Sequence, residues 1–368
     1  MTIEDLALLF TRGIGSRTAT ALIDHFGSAE RLFAASLSEI KGSIGLREEL
    51  AQRIKSGEGM AHAEREVEYC RKHDIRIISS TDEEYPEALR EISDRPHVLF
   101  IQGDVQTLKM RMLSVIGTRD ASPAGVYNCQ LLISSLAEKV DDLCIVSGLA
   151  YGIDAAAHRA ALAAGIKTIA VVPSILPSIT PASHRTLANE ILRSGGAIIS
   201  ELHSQTHQNG SFYISRNRII AGLSEGTVVI ESPAAGGSLS TADVADSYAR
   251  VVMATPGRMT DSNSFGSNNL IRTGKARLVL TAEDIIEDLG WSVTKRAEQP
   301  QEDIRIDISA LSHPEQRIVE AFNESSEVDW ESLISNSGLS LGELSMAMMD
   351  LEIKGIIRAL PGTRYELI

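Results

Sequence analysis

Residues 212–226, FYISRNRIIAGLSEG, set two guanidiniums astride a carboxamide, Arg216-Asn217-Arg218, directly before an apolar run. Arginine forks grip phosphate oxygens, and an aromatic ring such as Tyr213 offers a face for a base. The cluster suits a phosphorylated ligand or a nucleic-acid groove; a solvated helix start is the plain alternative. Three glycine-bearing turns share the anion theme. In VIGTRDASPAG (115–125), Gly117 and Thr118 let backbone N–H groups approach a phosphate, and Arg119 adds a charged fork. SGLAYGIDAAAHRAAL (147–162) opens on Gly148, and SPAAGGSLSTADVA (232–245) carries Gly236, Gly237, Ser238 and Thr241. SNNLIRTGKARLVL (267–280) adds Arg272 and Lys275. The first turn lacks the full GxGxxG fingerprint, which weakens a dinucleotide reading, and no cofactor is expected. Asp154 and His158 are one helical turn apart. They fit a catalytic pair, a metal site, or a helix-entry carboxylate beside a packed histidine. With no third ligand nearby, the last reading is preferred and no metal is expected.

Each of these turns follows a short apolar run rich in β-branched residues. RIIS (76–79), VLFI (98–101), LSVIG (113–117), CIVSG (144–148), KTIAVV (167–172), AIIS (197–200), TVVIE (227–231), VVMAT (251–255) and RLVL (277–280) alternate with helical stretches. That alternation predicts a mainly parallel, doubly wound α/β sheet, with ligands just beyond strand ends. Ahead of it, residues 1–65 read as helices. Gly13-Ile14-Gly15 stands between two amphipathic stretches in helix-hairpin-helix fashion, and a weaker echo follows at 40–54. Given the acidic charge of this region, packing alone is the preferred reading of those glycines. The sheet domain is expected over 75–294. KRAEQPQEDIRIDI (295–308) reads as a linker, and 309–368 as three helices and a hairpin, the pattern of a winged helix.

At 368 residues, 43% hydrophobic and 23% charged, the chain is expected to form two or three globular domains. The opening MTIEDLALLF lacks the basic start of a signal peptide, and no apolar run is long enough to span a bilayer. Cys70, Cys129 and Cys144 are scattered and read as reduced core residues, so a cytoplasmic protein without membrane contact is expected. The net charge of −14 argues against a polyanion ligand until it is divided. Residues 1–100 carry −5 and residues 281–368 carry −11, whereas 101–280 carry +2. The centre therefore remains open to nucleic acid.

The blocks GTR (117–119), SGLAYGIDAAAH (147–158), SRNRIIAGLSEG (215–226), GGSLSTA (236–242), ATPG (254–257) and NNLIRTGKA (268–276) resemble the DNA-processing protein A (DprA, also called Smf) family. DEEYPEALREISDRPHVLFIQGD (82–104) resembles the segment leading into that family's core, and the flanking modules resemble its accessory domains. The resemblance implies an extended Rossmann-like domain that binds single-stranded DNA without cutting it, dimerises, and loads the RecA recombinase. It also implies protection of incoming strands during natural transformation. Carried over by position, Arg119 and Lys167 are phosphate contacts, Arg216 and Arg218 pocket residues, Asn217 a turn-fixing partner, and Tyr213 a base-stacking ring. The family also places the homodimer interface near Leu270 and Ile271. The chain departs from the pattern at Tyr213-Ile214, where Phe-Pro is usual, at Ser215, where a base is common, at Ala235-Gly236, where a basic-Ser pair is usual, and over 171–184, which lacks the usual glycine and Tyr-Pro. Fewer cations imply weaker binding or greater reliance on dimerisation.

The rival class is an enzyme resembling LOG-type nucleotide phosphoribohydrolases, whose PGGxGTxxE signature has a parallel in AGGSLSTAD. Asp243 would stand for their glutamate, yet Leu239-Ser240 replaces the central Gly-Thr. Asp243 is read more simply as a helix first-turn acid. No catalytic residue is assigned on this reading, and a nucleotide-sensing role is a third possibility. In the winged helix, GELSMAMMDLEIKG carries Glu343, Asp350 and Glu352 against Lys354, the wrong side chains for a groove-reading helix. Met346, Met348 and Met349 suggest a packed core with some adaptable apolar contact surface, core packing alone being the preferred reading.

Overall fold

The computed structural model describes residues 1–207, 209–293, 311–322, 327–354, 356–360 and 364–367. The linker expected at 295–308 and the Pro361-Gly362 turn lie outside them. The chain divides into two compact units, Met1–Thr294 and Lys295–Ile368.

The first unit opens on helices α1 (Ile3–Phe10), α2 (Ser16–Phe26), α3 (Ala29–Ala34), α4 (Leu37–Ser43), α5 (Glu48–Lys55) and α6 (Met60–Lys72). Capping boxes start α1 (Thr2 with Asp5) and α4 (Ser36 with Glu39), satisfying N–H groups that would otherwise lack partners. Leu8, Leu22, Leu32, Ile40 and Ile54 form a core of their own. Leu6 and Ala7 instead join Phe100, Val172 and Ile198, so α1 serves two cores at once. The helical start and the sheet are thus one packed body.

The sheet comprises β1 (Arg76–Ser79), β2 (Val98–Gly103), β3 (Arg111–Ile116), β4 (Leu143–Ser147), β5 (Lys167–Val171), β6 (Ala197–Ser200), β7 (Gly226–Val229), β8 (Val251–Ala254) and β9 (Arg277–Leu278). Between these lie α7 (Glu87–Arg90), α8 (Pro123–Lys139), α9 (Ile153–Ala163), α10 (Arg185–Arg193), α11 (Phe212–Leu223), α12 (Gly237–Ser247) and α13 (Phe265–Arg272), with α14 (Ala282–Asp288) after β9. Strand order is β1-β2-β6-β5-β4-β3-β7-β8-β9. From β6 to β9 every pairing is parallel, and β1 and β2 extend one edge in antiparallel fashion. Residues alternate between the two faces: Met112 and Ile116 enter one core, Leu113 and Val115 the other. Covering helices on both faces explain why the strands read as unbroken apolar runs.

Topology then fixes where a ligand can sit. The chain moves outward from β3 through β4, β5 and β6, then returns to β7 on the other side of β3. Loops leaving β3 and β7 at their carboxyl ends diverge, and such a reversal opens a crevice. Because α11 leads back into the start of β7, its first turns lie at the carboxyl edge.

The second unit holds α15 (His313–Ala321), α16 (Trp330–Ser337) and α17 (Leu341–Ile353), with β10 (Glu327–Asp329), β11 (Ile357–Leu360) and β12 (Arg364–Leu367) in the order β10-β12-β11. This is the expected winged helix, with β10 added. Ile318, Phe322, Leu333, Leu344 and Leu351 form its core. The expectation for its methionines needs correction. Met348 is buried, but Met346 and Met349 are 73% and 64% exposed, on the opposite side of α17 from the core.

His158, buried on α9, shows how the main unit is pinned. The Thr168 hydroxyl donates to the Ile145 carbonyl at 2.7 Å and so receives the His158 Nδ1 proton, also at 2.7 Å. Burial first, then the positive charge of Arg216, pushes the imidazole down to about 3. Between the unfolded value near 6.5 and about 3, the unfolded chain takes a proton that the folded chain refuses. Stability should therefore fall as pH drops through that window, by about 1.4 kcal/mol per pH unit from this group. Denaturant unfolding at pH 7.5, 6 and 5 checks this: His158→Gln should show a flatter slope, and an unchanged slope would refute the assignment.

Candidate nucleic-acid interface

The crevice at the strand reversal is a pocket of about 370 Å³. Gly117, Thr118 and Arg119 enter it from the loop after β3, and Tyr213, Arg216 and Asn217 from the start of α11. Gly237, Ser238 and Thr241 close it from the start of α12. Nine of the residues expected from sequence to contact DNA thus meet in one place.

The loop after β3 is held by a residue that sequence reading did not assign. Glu231, just past β7 and buried, accepts hydrogen bonds from the Ser122 N–H at 2.9 Å and hydroxyl at 2.5 Å. Ser122 in turn caps α8 through the Gly125 N–H. The Glu231 carbonyl also takes the Thr118 N–H at 2.7 Å. Thr118 is itself buried, so the loop's working side chain is Arg119, which is exposed. Its guanidinium carbon lies 5.5 Å from the Tyr213 ring centroid, in cation–π range. Among the described residues no carboxylate pairs with it.

Below that pair lies Arg216. Its Nη1 donates to the Val171 carbonyl at 2.6 Å, and its side chain is buried next to Asp154. Burial lowers the guanidinium's pKa and raises that of the Asp154 carboxyl, and each shift is opposed by the other group's charge. The arrangement explains Gly148: any Cβ there would overlap the Arg216 guanidinium and crowd Asp154. Gly148 is therefore a space-maker for the arginine. Arg216 Nε is buried without a hydrogen-bond partner. The Asn217 carboxamide donates to the Gly237 carbonyl at 3.4 Å, linking α11 to the start of α12. That start carries no side-chain cap, and Gly237 is open to solvent, so first-turn N–H groups are available to an anion. Ser238 instead points inward, 2.8 Å from the Ser232 hydroxyl, and Thr241 donates back to the Gly237 carbonyl at 3.0 Å.

Three expected residues lie elsewhere. Lys167 opens β5, at the opposite end of the strand from the pocket, and its ammonium donates to the Ser194 carbonyl at 2.5 Å. Arg218 does not line the pocket; it pairs with Glu201 at 2.5 Å. Leu270 is only 5% exposed within the core, while Ile271 beside it is half-buried. Asp154 and His158 hold different partners, and among the described residues no three His, Cys, Asp or Glu side chains cluster to hold a metal.

Fold and pocket define a doubly wound α/β protein with a glycine- and arginine-lined crevice at its strand reversal, and a winged helix as its second unit. The particular family follows from comparison. Residues 76–290 match the family described as DNA recombination-mediator protein A, and residues 307–363 match the DprA winged helix domain. The chain belongs to that family of DNA-processing proteins. Protein Smf of Escherichia coli K12 is 34% identical over 290 residues, 78% of this chain and 76% of that one. The DNA processing protein DprA of Streptococcus pneumoniae R6 is 38% identical over 211 residues, 57% of this chain and 73% of its own. The crystal structure of the Streptococcus pneumoniae protein superposes with a TM-score of 0.68 at 31% identity, covering 78% of this chain and 98% of that one. A Helicobacter pylori DprA structure, described as revealing a single-stranded DNA binding mode, superposes at 0.52 with 27% identity, covering 58% and 95%. No described helix is long and apolar enough to cross a membrane.

The two arginines of the pocket should respond differently to removal. Arg216→Ala leaves Asp154 buried without its counter-charge, a loss of roughly 3–5 kcal/mol of folding stability. Arg119→Ala removes an exposed group and should change stability by less than about 0.5 kcal/mol. Urea midpoints of the two variants measure this, and equal midpoints would contradict the burial of Arg216.

Proposed function

We propose that the pocket binds the backbone and one base of single-stranded DNA, and that the chain acts as a recombination mediator rather than as an enzyme. The observation that carries this reading is the pairing of an acid-free Arg119 with the Tyr213 ring at the mouth of the pocket. A phosphate on Arg119 and on the open first turn of α12 leaves the adjoining base within reach of that ring. In duplex DNA that base face is already stacked on its neighbours, so the arrangement favours a single strand. Family membership supports protection of the strand and loading of the RecA recombinase, with natural transformation as the setting. The phosphoribohydrolase reading loses its key residue: Asp243 is exposed outside the pocket and pairs with Lys275 at 2.8 Å.

One pocket with few cations gives a weak grip, and a two-fold dimer joining two pockets would raise it through avidity. The first unit offers a surface for one: β9 ends the sheet, and Leu278 and Leu280 at that edge are 46% and 65% exposed. This edge, with half-buried Ile271 on the neighbouring α13, is a better candidate than Leu270. The acidic winged helix is proposed to serve protein contacts or regulation rather than DNA.

Fluorescence anisotropy on short oligonucleotides tests the pocket. Arg119→Ala should weaken single-strand binding about tenfold, ~1.4 kcal/mol, and reduce the salt slope by about 0.7. Tyr213→Ala should cost on the order of 1–3 kcal/mol on single strands and far less on duplex. Unchanged binding in both variants would remove the pocket from the mechanism.

A chain ending near residue 294 tests the rest. It should remain a dimer by light scattering and keep single-strand affinity within roughly threefold, under about 0.7 kcal/mol. A tenfold loss in a folded, dimeric truncation would show that the acidic wing contacts DNA.

A further inference from the structure

A second cleft, about 460 Å³, runs beside the first between α8 and α9. Arg119 lines both clefts. At the far end of the second stands Arg159, exposed on α9, with no hydrogen bond or ion pair among the described residues. Between the two arginines the floor is small and apolar, with Ala156 and Ala160 on α9 facing Val126 on α8. Gln130 adds one carboxamide, and Asp120 at the near rim is the one acid of the lining, leaving a net positive groove.

The wall that separates the clefts is thin because Gly152 permits it. Gly152 has a φ of +73°, a region that disfavours side chains, and a Cβ there would overlap the Thr118 carbonyl. The adjoining Ile153 N–H donates to that same carbonyl at 3.1 Å, so α9 begins directly against the loop bearing Arg119. Arg159 is seven residues further on, about 10 Å along the helix axis.

We propose that the α8–α9 groove carries the continuing sugar-phosphate backbone of the strand whose base is held in the main pocket, with Arg159 as a second phosphate contact. The inference rests on the single-strand reading of that pocket. Its occupant is set by continuity and charge: one cation is common to both clefts, a second unpaired cation stands at the exit, and the floor between them lacks bulky side chains. A small-residue floor lets a backbone lie close to the helix without meeting a side-chain ridge.

The test compares a thymidine dinucleotide, too short to reach Arg159 from the main pocket, with an oligothymidine of about twenty nucleotides. Arg159→Glu in the full chain should weaken the long strand at least about tenfold and the short strand less than about twofold. Arg159→Ala should reduce the salt slope of the long strand by about 0.7 and leave that of the short one unchanged. Arg159→Lys should restore most of the affinity. Arg119→Ala should weaken both strands. The proposal is overturned if Arg159→Glu binds the long strand with wild-type affinity and slope, as a protein-docking groove would, or if it weakens both strands equally, as a diffuse field effect would. If the unaltered chain retains neither strand, the single-strand reading itself fails, and the groove falls with it.

Discussion

The interior placement of one guanidinium organises this protein's ligand edge. Arg216 donates to the end of β5, balances Asp154 at the start of α9, and rises from the first turns of α11. Three separate chain segments therefore depend on one side chain that is almost wholly buried. Gly148 must lack a side chain for the arrangement to exist. A charge so enclosed costs several kcal/mol in desolvation unless it is matched by hydrogen bonds and a counter-ion. The match is incomplete, since Arg216 Nε has no partner. The interior pair thus fixes the frame of the pocket, while the exposed Arg119 leaves a guanidinium open at its mouth.

That division of labour resolves the apparent conflict between an acidic chain and a polyanionic ligand. Net charge governs the far field, which salt screens within about 8–10 Å at physiological ionic strength. Binding is decided closer in. Several cations near the strand ends of the first unit are tied to carboxylates: Arg218 to Glu201, Arg250 to Glu91, Arg277 to Asp288 and Lys275 to Asp243. Arg119 and Arg159 have no such partner among the described residues, and both line the α8–α9 cleft. Cations already paired are largely neutral to a passing phosphate, so counting lysines and arginines overstates some surfaces and understates this one.

Much of this was legible in the sequence, for physical reasons that also define what was not. Unbroken apolar runs separated by helical stretches allow little besides a covered parallel sheet, and glycine turns after such runs must fall at its carboxyl edge. The pocket residues from three turns were readable on that logic alone. The same logic, applied strictly, argues against Lys167: a residue that opens a parallel strand lies at the amino edge, away from every one of those turns. Arg218 was also decidable. Residues two apart on a helix point about 200° apart, so Arg216 and Arg218 cannot face one pocket. Glu231 was not decidable, because its role depends on a loop more than a hundred residues earlier in the chain. Leu270 was hidden for a related reason. Its neighbour Ile271 shares its chemistry, and only the packing of α13 on the sheet decides which of the two is inside.

The winged helix shows the same limit in another form. Met346, Met348 and Met349 span a single helical turn, so they cannot all enter one core; the core-facing stripe of α17 takes Leu344, Ala347, Met348 and Leu351. Met346 and Met349, three residues apart, are left together on the outer side. Two exposed thioethers cost solvation without contributing to the fold. Flexible, polarizable side chains of this kind adapt to varied apolar partners. Glu343, Asp350 and Glu352 on the same helix discourage a phosphate backbone from approaching it. The surface chemistry of α17 fits the protein-contact role proposed for it, unlike the pocket, where Arg119 lies over the Tyr213 ring. On the proposed function, DNA contact and protein contact belong to different units of one chain, so that a strand and a partner need not displace one another.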